Sequence, residues 1–161
     1  MERLGSSKPA FQGLLGDGIG LMLKANCKCG AVALTLAQRP SFINNCNCSL
    51  CTKSGGAWGY FTADEVDVRG VTQSFTRQDR DEPVVQIHAC TTCHSTTHWT
   101  LTATFKENSP DADRLGVNMR LFDHDQLIGI ELRFPDGAAW SGEGDYDYRR
   151  APICLGAGDC L

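Results

Sequence analysis

The spacing of the cysteines constrains the fold of this chain more than any other feature of its sequence. Seven of the nine cysteines fall in three short motifs, CKC at 27–29, CNCSLC at 46–51 and CTTC at 90–93. The total is odd, and the density is below that of small disulfide-rich domains. In a reducing compartment, cysteines spaced in this way indicate metal binding rather than disulfide bonds.

The seven cysteines divide into two sets. The members of the central motif are too close in sequence to belong to different sites, and we call them the trio: Cys46, Cys48 and Cys51. The first and last motifs supply four more, which we call the quartet: Cys27, Cys29, Cys90 and Cys93. Residues two apart on a strand share a face, and CxxC is the spacing of zinc knuckles. The sequence therefore predicts one closed site of four thiolates and one open site of three.

A zinc ion on four cysteines is structural, because it contributes folding free energy and leaves no room for substrate. The trio has two interpretations. A protein group completes a second structural site, or the fourth position is open, as in catalytic zinc sites. The side chains that are candidates for completing it are His88, His94, His98, Cys154 and Cys160.

If the trio is open, ligand chemistry favours a thiol as the fourth ligand of its zinc ion. Three thiolates weaken zinc as a Lewis acid toward water, but a soft fourth sulfur still suits the ion. A coordinated thiol is deprotonated, whereas a free thiol at pH 7 is only a few per cent thiolate. An iron–sulfur cluster is the alternative metal centre, but CxCxxC does not match ferredoxin spacings.

The segments between the motifs predict a mainly β fold in a single domain. Short β-branched or aromatic runs, separated by turn residues, predict strands at 31–36, 57–62, 73–77, 83–89, 97–103 and 129–134. Only residues 111–129 offer room for a helix, and Gly116 limits it to a turn or two. We expect an N-terminal extension at 1–24, disordered or partly helical, a zinc-binding domain at 25–140 and a C-terminal tail at 141–161. The tail is rich in Gly and Asp and is expected to be disordered.

Charge and motifs exclude several classes of function. The net charge is −4 with a pI near 5.5, and no block of Lys or Arg indicates a nucleic-acid partner. No apolar run predicts a membrane span or a secretory signal, so we expect a cytoplasmic protein without a membrane partner. The motifs HExxH, GxGxxG, the Walker loop, the nucleophile elbow and the zinc-deaminase signature are all absent from the sequence.

Three ordered motifs resemble the glutathione-dependent formaldehyde-activating enzyme (GFA) family, which includes the centromere protein V group. They are CKCGAV at 27–32, NCNCSLCTKSGGA at 45–57, and CTTC at 90–93 with STTHW and GVNMRLFD after it. The resemblance covers roughly residues 25–140. It implies a β-tent (Mss4-like) fold with sheets around zinc, a structural zinc on the quartet and a substrate-site zinc on the trio as the catalytic cysteines. The implied activity is that of a carbon–sulfur lyase that promotes addition of glutathione to formaldehyde, giving S-hydroxymethylglutathione.

The sequence departs from the family at His94, where members commonly have glycine. We expect this imidazole to face solvent, since the quartet already has four sulfurs. Other residues carry weaker expectations. Basic side chains that can pair with glutathione carboxylates, but that fit a solvated face as well, are Lys53, Arg77, Arg80 and Arg120. Residues expected in the core or a pocket wall are Trp58, Trp99 and Trp140. Small residues that can bring a substrate near the metal are Ser54, Gly55 and Gly56.

The leading hypothesis is a zinc enzyme with two ions that joins a small thiol, glutathione or a relative, to formaldehyde or a related aldehyde. The alternative is a non-catalytic β module in which two structural zinc ions support a protein-binding surface. Chromatin association would need a basic tail, and the sequence has none. The oligomeric state is not predicted.

Overall fold

The computed structural model describes residues 22–161, and within them eleven strands form two sheets. The smaller sheet is antiparallel, with the order β1-β2-β5. Its strands are β1 (Leu23–Asn26), β2 (Ala33–Leu36) and β5 (Val66–Arg69).

The larger sheet has eight strands in the order β11-β10-β3-β4-β9-β8-β7-β6. Its members are β3 (Phe42–Asn44), β4 (Trp58–Phe61), β6 (Thr72–Thr76), β7 (Val85–Cys90), β8 (Thr96–Leu101), β9 (Leu115–Asn118), β10 (Glu131–Arg133) and β11 (Ile153–Cys154). Among the strands of residues 22–161, only β3 and β10 pair in parallel. The helices are short: α1 (Ser49–Ser54), α2 (Ala103–Asn108) and α3 (His124–Leu127), with 3-10 turns at Ala63–Glu65 and Met119–Leu121.

The predicted mainly β fold, with short helices and sheets around cysteine clusters, is confirmed. Each of the six predicted strand segments overlaps a strand. The sequence analysis did not predict the strands β1, β3, β5, β9 and β11, nor the helices α1 and α2. Helix α2 begins at the end of the segment 97–103, where a strand was expected. No helix in residues 22–161 has the length and apolar character needed to cross a membrane.

Residues 111–129 contain only short helical turns, as expected, but the expected reason is wrong. Gly116 does not interrupt a helix, because it lies in strand β9 opposite Trp99 of β8. A Cβ atom at this position would lie 2.0 Å from Nε1 of the Trp99 indole. The glycine is therefore required because the tryptophan ring lies against its backbone, and helix forms further on, at His124–Leu127.

The main core lies between the two sheets. Alternate residues of β1 and β2 face inward, and they pack against one face of the larger sheet. The contributing side chains include Leu23, Leu34, Leu36, Ile43, Val117 and Leu132, all of them almost fully buried. A second cluster on the larger sheet contains Trp58, Ile87, Trp99 and Leu101, with Leu50, Cys51 and Tyr60 packed against it. The second cluster holds α1 against the sheet.

The chain ends differ from expectation. Of the predicted extension 1–24, residues 1–21 lie outside the described residues, and β1 begins at Leu23, before the predicted boundary. The predicted disorder of residues 141–161 is wrong for much of the segment. β11 pairs with β10, and Leu155 is only 1% exposed, with its N–H donating to the Ile130 carbonyl at 3.0 Å. The composition of the tail does not predict an ordered segment, because the order depends on one buried apolar side chain, Leu155, and on backbone hydrogen bonds.

Candidate metal centres

The quartet joins the two sheets. Cys27 directly follows β1 of the smaller sheet, and Cys90 ends β7 of the larger one. Their sulfurs meet those of Cys29 and Cys93, and all four lie within 4.8 Å of one another. The Sγ–Sγ distances are 3.6 Å from Cys27 to Cys29 and 3.8 Å from Cys29 to Cys90. Tetrahedral zinc with Zn–S bonds of about 2.3 Å requires sulfurs about 3.8 Å apart, so this arrangement fits zinc.

Backbone groups support the charge of the quartet. The N–H of Val32 donates to Sγ of Cys27 at 3.2 Å, and the N–H of Thr92 donates to Sγ of Cys90 at 3.4 Å. A hydrogen bond from the Ser95 hydroxyl, 3.3 Å from the sulfur, lowers the pKa of Cys93 to about 5. Thiolates are the metal-binding form of cysteine, and hydrogen bonds to sulfur stabilise them. The quartet is therefore suited to a closed metal centre.

His94 belongs to neither cysteine set. Its backbone has a φ of 58°, in the left-handed region that favours glycine. Its exposed imidazole accepts a hydrogen bond at Nδ1 from the Gln73 amide, 3.2 Å away. The prediction that His94 faces solvent is confirmed.

The trio is assembled at the N-terminus of α1. Cys46 lies just beyond β3, Cys48 is the N-cap residue of α1, and Cys51 is in its first turn. The three sulfurs lie within 4.8 Å of one another, and all three residues are half-buried. Because a helix N-terminus presents unpaired N–H groups, it is a favourable place for negatively charged sulfur.

Each sulfur of the trio accepts one N–H hydrogen bond. The N–H of Cys48 donates to Sγ of Cys46 at 3.4 Å, and the N–H of Cys51 donates to Sγ of Cys48 at 3.5 Å. The third donor is the indole Nε1 of Trp58, 3.3 Å from Sγ of Cys51. This third contact gives Trp58 a role beyond the core position that the sequence suggested.

The pKa values within the trio move in opposite directions. Hydrogen bonds from the thiols of Cys46 and then Cys51 lower the pKa of Cys48 to about 2. The pKa of Cys51 is raised, because its thiol is hydrogen-bonded first to Cys46 and then to Cys48. The lowered pKa of Cys48 favours its thiolate, and the trio fits zinc by its all-sulfur donor set.

No other His, Cys, Asp or Glu of residues 22–161 joins the trio. The rings of His88 and His98 stack on each other with centroids 4.3 Å apart, and they bond to hydroxyls of Thr100 and Thr97. Cys154 and Cys160 are exposed and lie outside both clusters. The five candidates for a fourth ligand are therefore elsewhere in the fold.

A cavity of about 330 Å³ opens beside the trio, and Cys46 and Cys51 line it. Gly55 and Gly56 lie in its wall, as the sequence suggested, and so does Arg120. Arg149 also lines it, and no sequence pattern had indicated this residue. The cavity gives a small molecule a route to the sulfurs.

The other predicted basic residues lie away from this cavity. Lys53, Ser54 and Arg77 line a separate cavity of about 550 Å³ on α1, which contains no cysteine. Arg77 is paired there with Asp79 at 2.6 Å. Arg80 lines neither cavity, and Trp140 is half-buried against the ring of Tyr146.

The turn at residues 136–138 lies against the trio at Cys46. Asn47 holds the turn, because its amide donates to Asp136 at 2.7 Å and accepts from the N–H of Ala138 at 2.9 Å. A Cβ atom on Gly137 would lie 2.5 Å from Sγ of Cys46. Sequence reasoning missed Gly137, since nothing in its neighbourhood marks a close approach to sulfur.

The chain is similar to known proteins in two comparisons. A family model described as glutathione-dependent formaldehyde-activating enzyme matches residues 22–129. A crystal structure of a Rhodobacter sphaeroides protein aligns with a TM-score of 0.48 and 23% sequence identity, over 63% of this chain and 88% of that chain. No curated protein matches the chain significantly.

Proposed function

The chain belongs to the glutathione-dependent formaldehyde-activating enzyme family, and from this premise we propose that it is a zinc-dependent carbon–sulfur lyase. Its substrates would be a small thiol, glutathione or a relative, and formaldehyde or a related small aldehyde. The observation that carries the proposal is the trio itself: three sulfurs within 4.8 Å of one another, no fourth protein ligand among the described residues, and a cavity at their side.

We assign the two cysteine sets different roles. The quartet would hold a structural zinc, because its four sulfurs fill a tetrahedral shell. The trio would hold the second zinc. When bound there, zinc would lower the pKa of an entering thiol and so supply a thiolate close to the aldehyde.

The chain's own residues orient the reaction. The N–H groups of Cys48, Cys51 and Trp58 fix the positions of the three sulfurs and disperse their charge. The cavity beside α1 admits the thiol, and the turn at Gly137 packs against Sγ of Cys46. In the reaction the S–H bond of the thiol breaks and its proton passes to solvent, a carbon–sulfur bond forms, the C=O double bond becomes a single bond, and the oxygen takes a proton from solvent. Proximity of the two reactants supplies part of the rate.

The test compares Cys48→Ser with Cys90→Ser. We expect Cys48→Ser to remain folded, to retain one zinc of two and to lose the acceleration of thiol addition over the spontaneous rate. We expect Cys90→Ser to unfold, because it opens the structural site. Zinc content, circular dichroism and the rate of hemithioacetal formation are the measurements. Equal unfolding by both substitutions, or a wild-type rate no higher than the spontaneous one, would favour the non-catalytic module with two structural ions.

A further inference from the structure

We propose that Arg149 and Arg120 form an anion-binding pair that selects thiols bearing a carboxylate. Arg149 would be a specificity-determining residue, supplied by a part of the chain beyond the residues that match the family model. The inference rests on the proposed function, since it assumes that the molecule bound at the trio is a thiol.

The charge of the cavity supports an anionic ligand. Arg120 and Arg149 line the same space as Cys46 and Cys51, and no acidic side chain from residues 22–161 lines it. Among the residues that the structure describes, neither arginine takes part in an ion pair. Both residues are exposed, so a ligand can reach them. Two unpaired guanidinium groups beside a sulfur cluster favour a molecule that carries both a sulfhydryl and a carboxylate.

The backbone before Arg149 fixes its position. The N–H of Arg149 donates to the Phe134 carbonyl at 2.9 Å, and the N–H of Asp136 donates to the Asp147 carbonyl at 2.7 Å. The neighbouring Arg150 lies over the Phe134 ring, 3.6 Å from its centroid. The C-terminal segment is therefore held along residues 134–136, next to the turn at 136–138 that lies against Cys46.

The side chain of Arg149 is also oriented. Its Nη2 donates to the backbone carbonyl of Asn45, the residue before Cys46. A guanidinium group has five N–H donors, so this contact leaves most of them for a ligand. A side chain held in advance loses less entropy on binding than a mobile one.

The other cavity on α1 is a poorer place for the carboxylate. Arg77 is already neutralised by Asp79 there, and no cysteine lines that cavity. A thiol bound at the trio therefore meets the unpaired arginines, Arg120 and Arg149, in its own cavity.

The test uses two ligands that differ only in the carboxylate, N-acetylcysteine and N-acetylcysteine amide. Their dissociation constants are measured by calorimetry on the zinc-loaded protein, without aldehyde. We expect the wild type to bind the acid at least tenfold more tightly than the amide, since a charge-assisted hydrogen bond contributes about that factor or more. Arg149→Met should remove about tenfold of this preference and leave the affinity for the amide within about twofold.

Arg39→Met is the matched control, because Arg39 is also exposed and also donates to a backbone carbonyl, that of Ile128, but lines neither cavity. It should leave both affinities unchanged. Zinc content and circular dichroism verify each variant, and Arg120→Met, with the same expected pattern, serves if Arg149→Met does not fold.

Equal weakening of both ligands by Arg149→Met, or no weakening of either, would overturn the proposal. If the wild type binds the acid and the amide equally, the carboxylate inference fails while the thiol site stands. If it binds neither, the proposed function fails as well.

Discussion

Acid should destabilise the protein through His98, which is only 7% exposed. Burial, and then the charge of the neighbouring His88, lower the pKa of His98 from 6.5 to about 4. The Thr97 hydroxyl donates to the His88 carbonyl, so Nδ1–H of His98 donates to the Thr97 oxygen. Protonation would therefore occur at Nε2, in a buried place beside a second imidazole.

The sign and size of the effect follow from linkage. His98 is neutral in the folded state, so its contribution to stability is complete above pH 6.5 and is lost as the pH falls toward 4. Between pH 7 and pH 5.5 the unfolded state gains the proton and the folded state does not. The loss is about 1.2 kcal/mol. Burial lowers the pKa of His88 as well, which adds a loss in the same direction.

The assay is urea unfolding of the zinc-saturated protein at pH 7 and pH 5.5, for the wild type and for His98→Asn. Acid also weakens zinc–thiolate binding, but His98 is in neither cysteine cluster. Subtracting the two pH dependences therefore removes the metal contribution. We expect the wild type to lose about 1.2 kcal/mol more than the variant over this interval. Equal losses in the two proteins would refute the argument that His98 is buried as the neutral form.

Three further substitutions test the site and the sheet. Trp58→Phe removes the indole donor to Cys51, so it should weaken zinc binding at the trio about tenfold or more and leave the zinc of the quartet in place. Chelator competition measures both affinities, and loss of both ions together would contradict the prediction. Gly137→Ala puts a Cβ atom 2.5 Å from Sγ of Cys46, so the variant should retain one zinc ion per chain instead of two, as measured by zinc content. Two tightly held ions would show that the turn can shift. Gly116→Ala forces the Trp99 ring to move and should cost about 1–3 kcal/mol in urea unfolding, with a shift in tryptophan fluorescence that an unaffected ring would not give.

The cysteine spacing predicted the trio because its members are local in sequence: CNCSLC covers six residues, which keeps its three sulfurs close together. The quartet is not local, and it was predicted by pairing the two motifs that remained. Arg149 and Gly137 were not predictable in this way. The position of Arg149 depends on a backbone hydrogen bond to Phe134, and that of Gly137 depends on the hydrogen bonds of Asn47 to the turn. Neither contact is visible in the composition or the residue spacing of the sequence.

The strands were predictable where alternation or β-branched residues marked a half-buried surface, as in β2 and β7. Three of the missed strands are short or unusual, whereas β1 and β5 alternate as regularly as β2. β3 and β11 have three and two residues, and β9 contains Gly116 because a tryptophan from the next strand needs its space. Neighbours across the sheet decided these segments, and such neighbours are not visible in a local window.

The two cysteine sets differ in sequence separation, and this difference bears on how much a metal bound to each would add to folding. Cys29 and Cys90 are 61 residues apart and belong to parts of the chain that lead into different sheets, whereas Cys48 and Cys51 are three apart. The chain-entropy relation for a cross-link gives about 4 kcal/mol for closing a loop of the first kind and less than about 2 kcal/mol for the second. A metal ion on the quartet would therefore act on the stability of the whole domain, because it restricts the unfolded chain over that distance. A metal ion on the trio would add little to folding. A substrate could therefore occupy the fourth coordination position of that ion without loss of the fold.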